Sequence, residues 1–500
     1  MPAPPIFLSM QQFIRRITPY SISLFLGILY WRTLAPGLTW AFDGADGGDL
    51  ITATITGGVP HPTGYPTYLI LASLFLKIPF GSFAFRTNLF SLVCTVLGAF
   101  VVYQIVLSEN GSISSALIAS LSFGVFPLIW SQAIITEVNA LHGLLITLIL
   151  FFVLRRNSRP VADILVGAIL GLGIGNHLTT IFMLPFLFSD SLTLGKYPAV
   201  ENKWISNTPL VRQSLRIIRR LAGLGLGLCV YLIIPFRART DAPVNWGNAT
   251  TWNQFVWLVT GQMYQSRLRD WNAAYLYKGV QVWSRFLIGQ LGIAGILLVC
   301  IAAVLLFKPT RLFMVTGWMV IIYSAFSILY YSPDSYVYLI PALISFAIWI
   351  GLSSAWIAGQ VSKRFPRFKT IPMLCIGAIF ILQALWSIPA MNLSSNKDAE
   401  QYAQIILKSA PSQAIIFTTG DEATFSLWYF HYAYHQRPDV AVICMDLLVQ
   451  PWYRSVLRYT YPHLVVPDTP WMDDLARANS HRPVCQLKSD LQPQIECTGQ

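Results

Sequence analysis

Charge is what this chain has least of. Only 11% of its 500 residues are Asp, Glu, Lys or Arg, while 55% are hydrophobic and 14% aromatic. An ordinary soluble domain carries about 25% charge, so a water-soluble globular protein is excluded, and so is a disordered one. The chain also lacks a Gly-rich phosphate loop followed by Lys, which excludes the common form of ATP-driven chemistry. Seven cysteines show no metal-ligand spacing: Cys94, Cys229, Cys300 and Cys375 fall in apolar runs, and Cys444, Cys485 and Cys497 lie near the end. Residues 1–10 have no charged start and do not read as a cleaved leader. The net charge of +12 comes with no recognition motif for nucleic acid. What remains is a polytopic α-helical membrane protein in a lipid bilayer.

A membrane crossing needs about 20 apolar residues. Candidate spans lie near 20–37, 85–107, 112–131, 138–154, 161–175, 177–189, 221–236, 284–307, 312–332, 336–357 and 371–390, about eleven in all, with 161–189 readable as one long helix. The apolar stretch 65–80 is short, ends near Pro79, and reads as an interfacial or re-entrant helix. Arg15 and Arg16 hold the N-terminus inside by the positive-inside bias. The clusters Arg155/Arg156/Arg159, Lys196/Lys203/Arg212/Arg216/Arg219/Arg220, Lys308/Arg311 and Lys363/Arg364/Arg367/Lys369 then all fall on the cytoplasmic side. Loops 38–84 and 237–283 and the tail face outside. Residues 1–390 form the membrane domain. The tail, 391–500, changes composition and reads as a small extracytoplasmic α/β domain, with strands at 414–419 and 440–444 around a helix. If it is outside, Cys485 and Cys497 can bridge.

Polar residues of unusual type collect on that outer side. Asp43, Asp46, Asp49 and His61 lie in the first outer loop; Glu137 and Asn139 follow Trp130; Asn176 and His177 interrupt an apolar run. Arg237 and Arg239 close the seventh span, Asn245 and Trp246 follow, and Tyr331 and Asp334 stand in "YYSPDSY". Ionisable groups at membrane depth cost several kcal/mol and mark sites or watery cavities. Each alone has a plainer reading: boundary acids in water, arginines anchored at the interface, a core histidine bonded to a carbonyl. A carboxylate can act as general base toward a hydroxyl, and Arg offers a planar fork to phosphate oxygens. An apolar groove beside both suits a lipid tail. The set fits transfer of a group from a lipid phosphate to an acceptor on the outer side. A non-catalytic or transport protein of polysaccharide or lipid-linked glycan assembly is the alternative, and three aspartates could also hold a divalent metal.

The motifs "DGGDLITA" and "PHPTGYPTY" resemble the first-loop signature "DSGELITA…HPPGYPL" of the protein O-mannosyltransferase-like membrane proteins. The resemblance continues in "WSQAIITEVNAL", "GLGIGNHLT", "YLIIPFRA…NWGNATTWNQF" and "TTGDEATFSLWY…RPDV". It implies a C-type glycosyltransferase fold, a polyprenyl-phosphate sugar as donor, no metal cofactor, and an inverting transfer to a hydroxyl of a protein, lipid or glycan. Protein O-mannosylation is among the reactions implied, and a bacterial inner membrane among the locations. Asp46 matches the Asp of the signature and becomes the expected base. Asp49 stands where Glu is common, and Thr63 replaces the second Pro. The remaining expectations are His61, Arg237 and Arg239 for the donor phosphate, and Tyr65, Glu137, Asn139, Asn176, His177, Asn245 and Trp246 for the substrate pocket. Asp421, in "TTGDEATFSLWYF", is the expected contact to the acceptor.

Overall fold

The computed structural model describes residues 5–155, 160–192, 209–268, 273–305, 310–330, 332–487 and 492–498. Of the residues singled out above, Arg156, Arg159, Lys196, Lys203, Lys308 and Tyr331 lie outside this set.

Chain order begins with a long helix α1 (Pro5–Thr33), two short helices α2 (Asp46–Thr56) and α3 (Pro66–Phe75), and the long α4 (Phe83–Asn110). Pro66 opens α3 at its first turn, where a missing N–H costs nothing. Ser82 caps α4 by accepting the Phe85 N–H, and Gly111, at φ 70°, ends it. Next come α5 (Ile113–Val125) and α6 (Pro127–Ala133), bent by 67° where Pro127 forces Phe126 into extended backbone. Then follow α7 (Asn139–Leu154), α8 (Pro160–Ile174), a 3₁₀ stretch Leu178–Leu192, α9 (Pro209–Leu228), α10 (Ile233–Arg237) and α11 (Trp252–Val259). The remaining membrane helices are α12 (Ala273–Leu305), α13 (Arg311–Leu329), α14 (Ile340–Arg364) and α15 (Ile371–Met391).

Among the described residues, six helices are long and apolar enough to cross a membrane, or seven if the bent α5–α6 pair counts as one span. The eleven crossings expected from the sequence include segments at α7, α8 and 178–188 that are shorter than this. The break expected near 175–177 is present, so 161–189 is two segments rather than one helix.

Helices α8 and α9 approach unusually closely. A Cβ on Gly167 would lie 1.8 Å from the Arg220 carbonyl oxygen, and one on Gly223 would lie 2.1 Å from that of Ile164. Gly171 and Gly227, four residues on from each, repeat the contact, the small-residue packing that membrane helices use. Arg219 and Arg220 belong to the second basic cluster. Arg220 is buried, 3.4 Å from the buried Asp163 of α8, and donates to the Phe186 and Leu187 carbonyls. The guanidinium thereby takes up two carbonyls of the 3₁₀ stretch, where lipid would leave a backbone acceptor without a partner. Breaking such a buried pair from one side costs about 3–5 kcal/mol.

The tail carries α16 (Asp398–Ser409), α17 (Asp421–Trp428), α18 (Pro451–Thr460) and α19 (Met472–Ala478). Its strands β1 (Ile415–Thr418), β2 (Ala441–Cys444), β3 (Val484–Leu487) and β4 (Ile495–Thr498) form one sheet in the order β2-β1-β3-β4. The pairs β1–β2 and β1–β3 are parallel, and β3–β4 is antiparallel. Cys485 and Cys497 are opposite each other in that last pair and are disulfide-bonded. β1 and β2 are buried throughout, as strands covered by helices must be.

The tail is docked on the first loop. Trp40 Nε1 donates to Ser426 Oγ at 2.8 Å and to the Glu422 carbonyl at 3.1 Å. The Ala84 N–H donates to Tyr429 Oη, and Tyr459 Oη donates to the Ala242 carbonyl.

Candidate active site

The sequence "DGGDL" builds the first turn of α2. Asp46 and Asp49, three residues apart, share a helix flank but meet different surroundings. Gly47 and Gly48 let that turn sink between two other segments. A Cβ on Gly47 would touch Thr136 at 3.2 Å, and one on Gly48 would meet the Phe425 carbonyl oxygen of α17 at 2.4 Å. Gly48→Ala should therefore push α17 off α2. The expected outcome is a loss of about 1–3 kcal/mol, the usual cost of overpacking, read as a lower melting temperature of the purified protein, with Gly225→Ala, in open space, as the control.

Asp49 is fully buried, and three donors take its two oxygens. Oδ2 accepts the His61 backbone N–H at 2.8 Å and lies 2.7 Å from His61 Nδ1; Oδ1 accepts Trp246 Nε1–H at 3.0 Å. Asp49 was expected to act as a catalytic residue, sharing the base role, orienting it or binding the sugar. Each of its oxygens has a protein donor, so the carboxylate ties His61 to Trp246.

The other His61 nitrogen, Nε2, lies 3.0 Å from Tyr65 Oη and 3.4 Å from Asp46 Oδ2. Tyr65 Oη donates to the Pro62 carbonyl at 3.1 Å, which leaves its oxygen to accept from the histidine. Burial disfavours the charged imidazole, but Asp46 and then Asp49 outweigh it and push His61 up to about 10, so it is a cation at neutral pH. Both of its N–H groups are thereby spent on protein. The ring thus sets a positive charge beside Asp46.

Asp46 stands half-exposed at the end of this chain. Burial raises its carboxyl above the ordinary range; His61 works against this, and Asp49, Asp334 and Glu422 add to it. A carboxylate of raised basicity with an open oxygen is what a general base requires.

The other expected residues divide. Asp421, in the first turn of α17, is exposed, yet burial around it and the charge of Asp46 push its carboxyl up to about 6. Glu137 is buried, and burial followed by Asp46 raises it well above its usual value. Asn139 donates to Gln132 Oε1 at 3.0 Å and Asn176 to the Val138 carbonyl at 3.1 Å, so both brace the α6–α7 turn that carries Glu137. His177 stacks near His142, with ring centroids 4.5 Å apart, and contacts Tyr338 edge-on.

Arg237 and Arg239 are not brought to Asp46. Arg237 Nη1 donates to the Ala53 and Gly58 carbonyls, each at 3.0 Å. Ala53 is seven residues along α2 from Asp46, about 10 Å at 1.5 Å per residue. Arg237 caps the far end of α2, and Arg239 is exposed beyond α10. Asn245 was expected in the pocket; it is buried, donating to the Ala238 carbonyl and Tyr459 Oη, and pins loop to tail. Trp246 holds Asp49 rather than lining open space.

The structure supplies a cation that the sequence reading passed over. Arg267 is exposed, donates to Ser332 Oγ at 3.0 Å, and sits over the Tyr264 ring at 4.9 Å. Burial raises the Tyr264 hydroxyl well above its usual value; the negative charges of Asp46 and Asp421 add to this, and Arg267 opposes it. Gly261 places Thr63 and Tyr264 on its two sides. The only signal in the sequence was a basic residue among aromatics in "QMYQSRLRDW". Among the described residues no group of three or more His, Cys, Asp or Glu is arranged to hold a metal ion.

Comparison with known proteins agrees with this frame. The profile of the protein O-mannosyl-transferase TMEM260 N-terminal domain matches residues 46–197, and that of TMEM260-associated domain 2 matches 399–476. The mouse protein O-mannosyl-transferase TMEM260 is 24% identical over 90% of this chain and 66% of its own length. The Dictyostelium discoideum protein of the same name is 23% identical over 91% of this chain and 62% of its own. The chain thus spans a little under two thirds of these relatives. Among solved structures, ArnT from Cupriavidus metallidurans bound to undecaprenyl phosphate superposes with a TM-score of 0.55 at 12% identity, covering 87% of this chain and 90% of that one. Its apo form gives 0.51, covering 89% and 91%. By these matches the chain is similar to the protein O-mannosyltransferase-like membrane proteins that its first-loop motif resembles, and it carries a C-type glycosyltransferase fold.

Proposed function

We propose that this protein transfers a sugar from a polyprenyl-phosphate donor to an acceptor hydroxyl on the extracytoplasmic side, with protein O-mannosylation the reaction its relatives' names favour. The observation that carries the reading is the half-exposed Asp46 carboxylate held against the His61–Asp49–Trp246 chain. In the step, Asp46 takes the proton of the acceptor hydroxyl. The freed oxygen attacks the sugar's anomeric carbon from the face opposite the phosphate. The carbon–oxygen bond to phosphate breaks, and the lipid phosphate leaves with the electron pair, which inverts the centre. His61 and Arg267 supply positive charge where negative charge develops on the leaving oxygen. Glu137, Asn139, Asn176 and His177 wall the donor's sugar. Asp421 meets the acceptor. The undecaprenyl phosphate bound in the ArnT structure supports a lipid-linked donor for this fold.

The assay is transfer from a synthetic polyprenyl-phosphate mannose by the purified protein. Arg267→Ala is expected to raise the donor KM by about 10-fold or more, as loss of a charge-assisted contact does, whereas Arg239→Ala is expected to leave it unchanged. An equal effect of both would remove Arg267 from the phosphate site. No transfer with any polyprenyl-phosphate sugar would sink the reading.

The orientation rests on the basic clusters. Lys77→Cys in the first loop and Ser412→Cys in the tail, both exposed positions, should react with an impermeant maleimide in intact cells, and Arg367→Cys should not. The background is a protein with its free cysteines replaced. Labelling of only one of the first two would put loop and tail on opposite sides.

A further inference from the structure

His61 holds Asp46 in place, and one of the walls that holds His61 comes from the tail. The ring of Phe425, in α17, lies nearly parallel to His61, at 12° with centroids 6.3 Å apart. Trp246 meets His61 edge-on at 6.2 Å, and Tyr65 does so at 4.9 Å. Phe425 also meets Trp246 edge-on at 6.3 Å. These spacings are those of interacting rings. Hydrogen bonds hold the two ring nitrogens, and the three flanking rings limit how far the imidazole can turn, Phe425 alone of them lying parallel to it. Phe425 is 2% exposed, and its own carbonyl rests on Gly48, one residue from Asp49. Trp40 then ties α17 to the first loop through the Glu422 carbonyl and Ser426 Oγ.

We infer that the tail is part of the catalytic centre: Phe425 is a positioning residue that fixes the His61 ring, and through it Asp46, so the site in the first loop is incomplete without α17. This rests on the glycosyl-transfer reading above. It assigns the tail a role in the chemical step beyond contact with the acceptor through Asp421.

The test is steady-state transfer by the full-length protein with a polyprenyl-phosphate mannose donor. Phe425→Leu is expected to lower kcat about 10-fold while both KM values stay within about two-fold, and Phe425→Tyr, which keeps the ring, is expected to restore most of the rate. In the Asp46→Asn background, Phe425→Leu should cost little further, because its effect passes through the group already lost. Trp40→Phe, which removes the indole N–H bonds to α17 but keeps an aromatic ring against Tyr402, is expected to lower kcat several-fold in the same way. An unchanged kcat in Phe425→Leu, a rise confined to the acceptor KM, or costs that multiply in the double variant would each overturn the inference. A protein with no transfer activity in its unaltered form would instead overturn the reaction class.

Discussion

Asp46→Asn is expected to lower turnover by about 10²–10⁴-fold, the range for removal of a general base, with donor binding and melting temperature near those of the unaltered protein. The side chain is half-exposed, and it pairs with the His61 ring nitrogen at 3.4 Å, so an amide of the same shape fits. Asp43→Asn is expected to do far less. Asp43 is exposed and accepts a hydrogen bond from Tyr336 Oη, which ties the first loop to the segment before α14. The comparison is made at saturating donor with labelled sugar. Near-normal turnover by a folded Asp46→Asn would remove Asp46 from the chemistry.

The second large effect is expected at Asp49, and its character differs. All three hydrogens aimed at Asp49 are donors, so an Asn there must turn its NH₂ toward one of them. About 3–5 kcal/mol of stability should go, the cost of leaving a buried cation short of its partner. Turnover should fall about 10²-fold, as misplacement of a catalytic group by about 1 Å can do. The pH dependence carries the distinguishing mark. His61 titrates at about 10 in the folded protein against 6.5 ordinarily. A raised histidine contributes stability that is whole below about pH 6.5 and is lost as pH rises toward about 10. In Asp49→Asn one of the three anions that raise His61, Asp46, Asp49 and Asp421, is gone. The alkaline limb of both stability and rate should therefore move to lower pH. An alkaline limb that stays in place would detach His61 from Asp49.

Some of this was legible in the sequence because it is local. The apolar run lengths place the helices at 83–110, 311–329 and 371–391 within about three residues, while the helix at 273–305 begins eleven residues before its expected span and that at 340–364 runs seven past its own. The β-rich runs of the tail, around 415–418 and 441–444, were readable from their own composition. The aspartate pair in "DGGDL" was visible as chemistry. Its division of labour was not, because the burial of Asp49 is set by Trp246, which lies 197 residues away.

Arg237 was legible only as a charge on the outer side; the carbonyls it caps, at Ala53 and Gly58, are identified by the fold. Arg220 is alike, since its partner Asp163 sits on another helix. Arg267 was missed because nothing local separates it from an ordinary loop residue; its place is set by the antiparallel bridge between Leu268 and Tyr330. Segments such as α7, at 16 residues, fall short of the length that made the longer spans plain.

The central claim is tested most directly by where the donor sits. The measurement is a cryo-EM structure of the purified protein with a polyprenyl phosphonate-linked sugar, which binds as the donor does but does not transfer. The account predicts the phosphonate beside Arg267 and His61, with the anomeric carbon within reach of a hydroxyl resting on Asp46. A headgroup bound at the far end of α2 beside Arg237, or anywhere out of reach of Asp46, would contradict it.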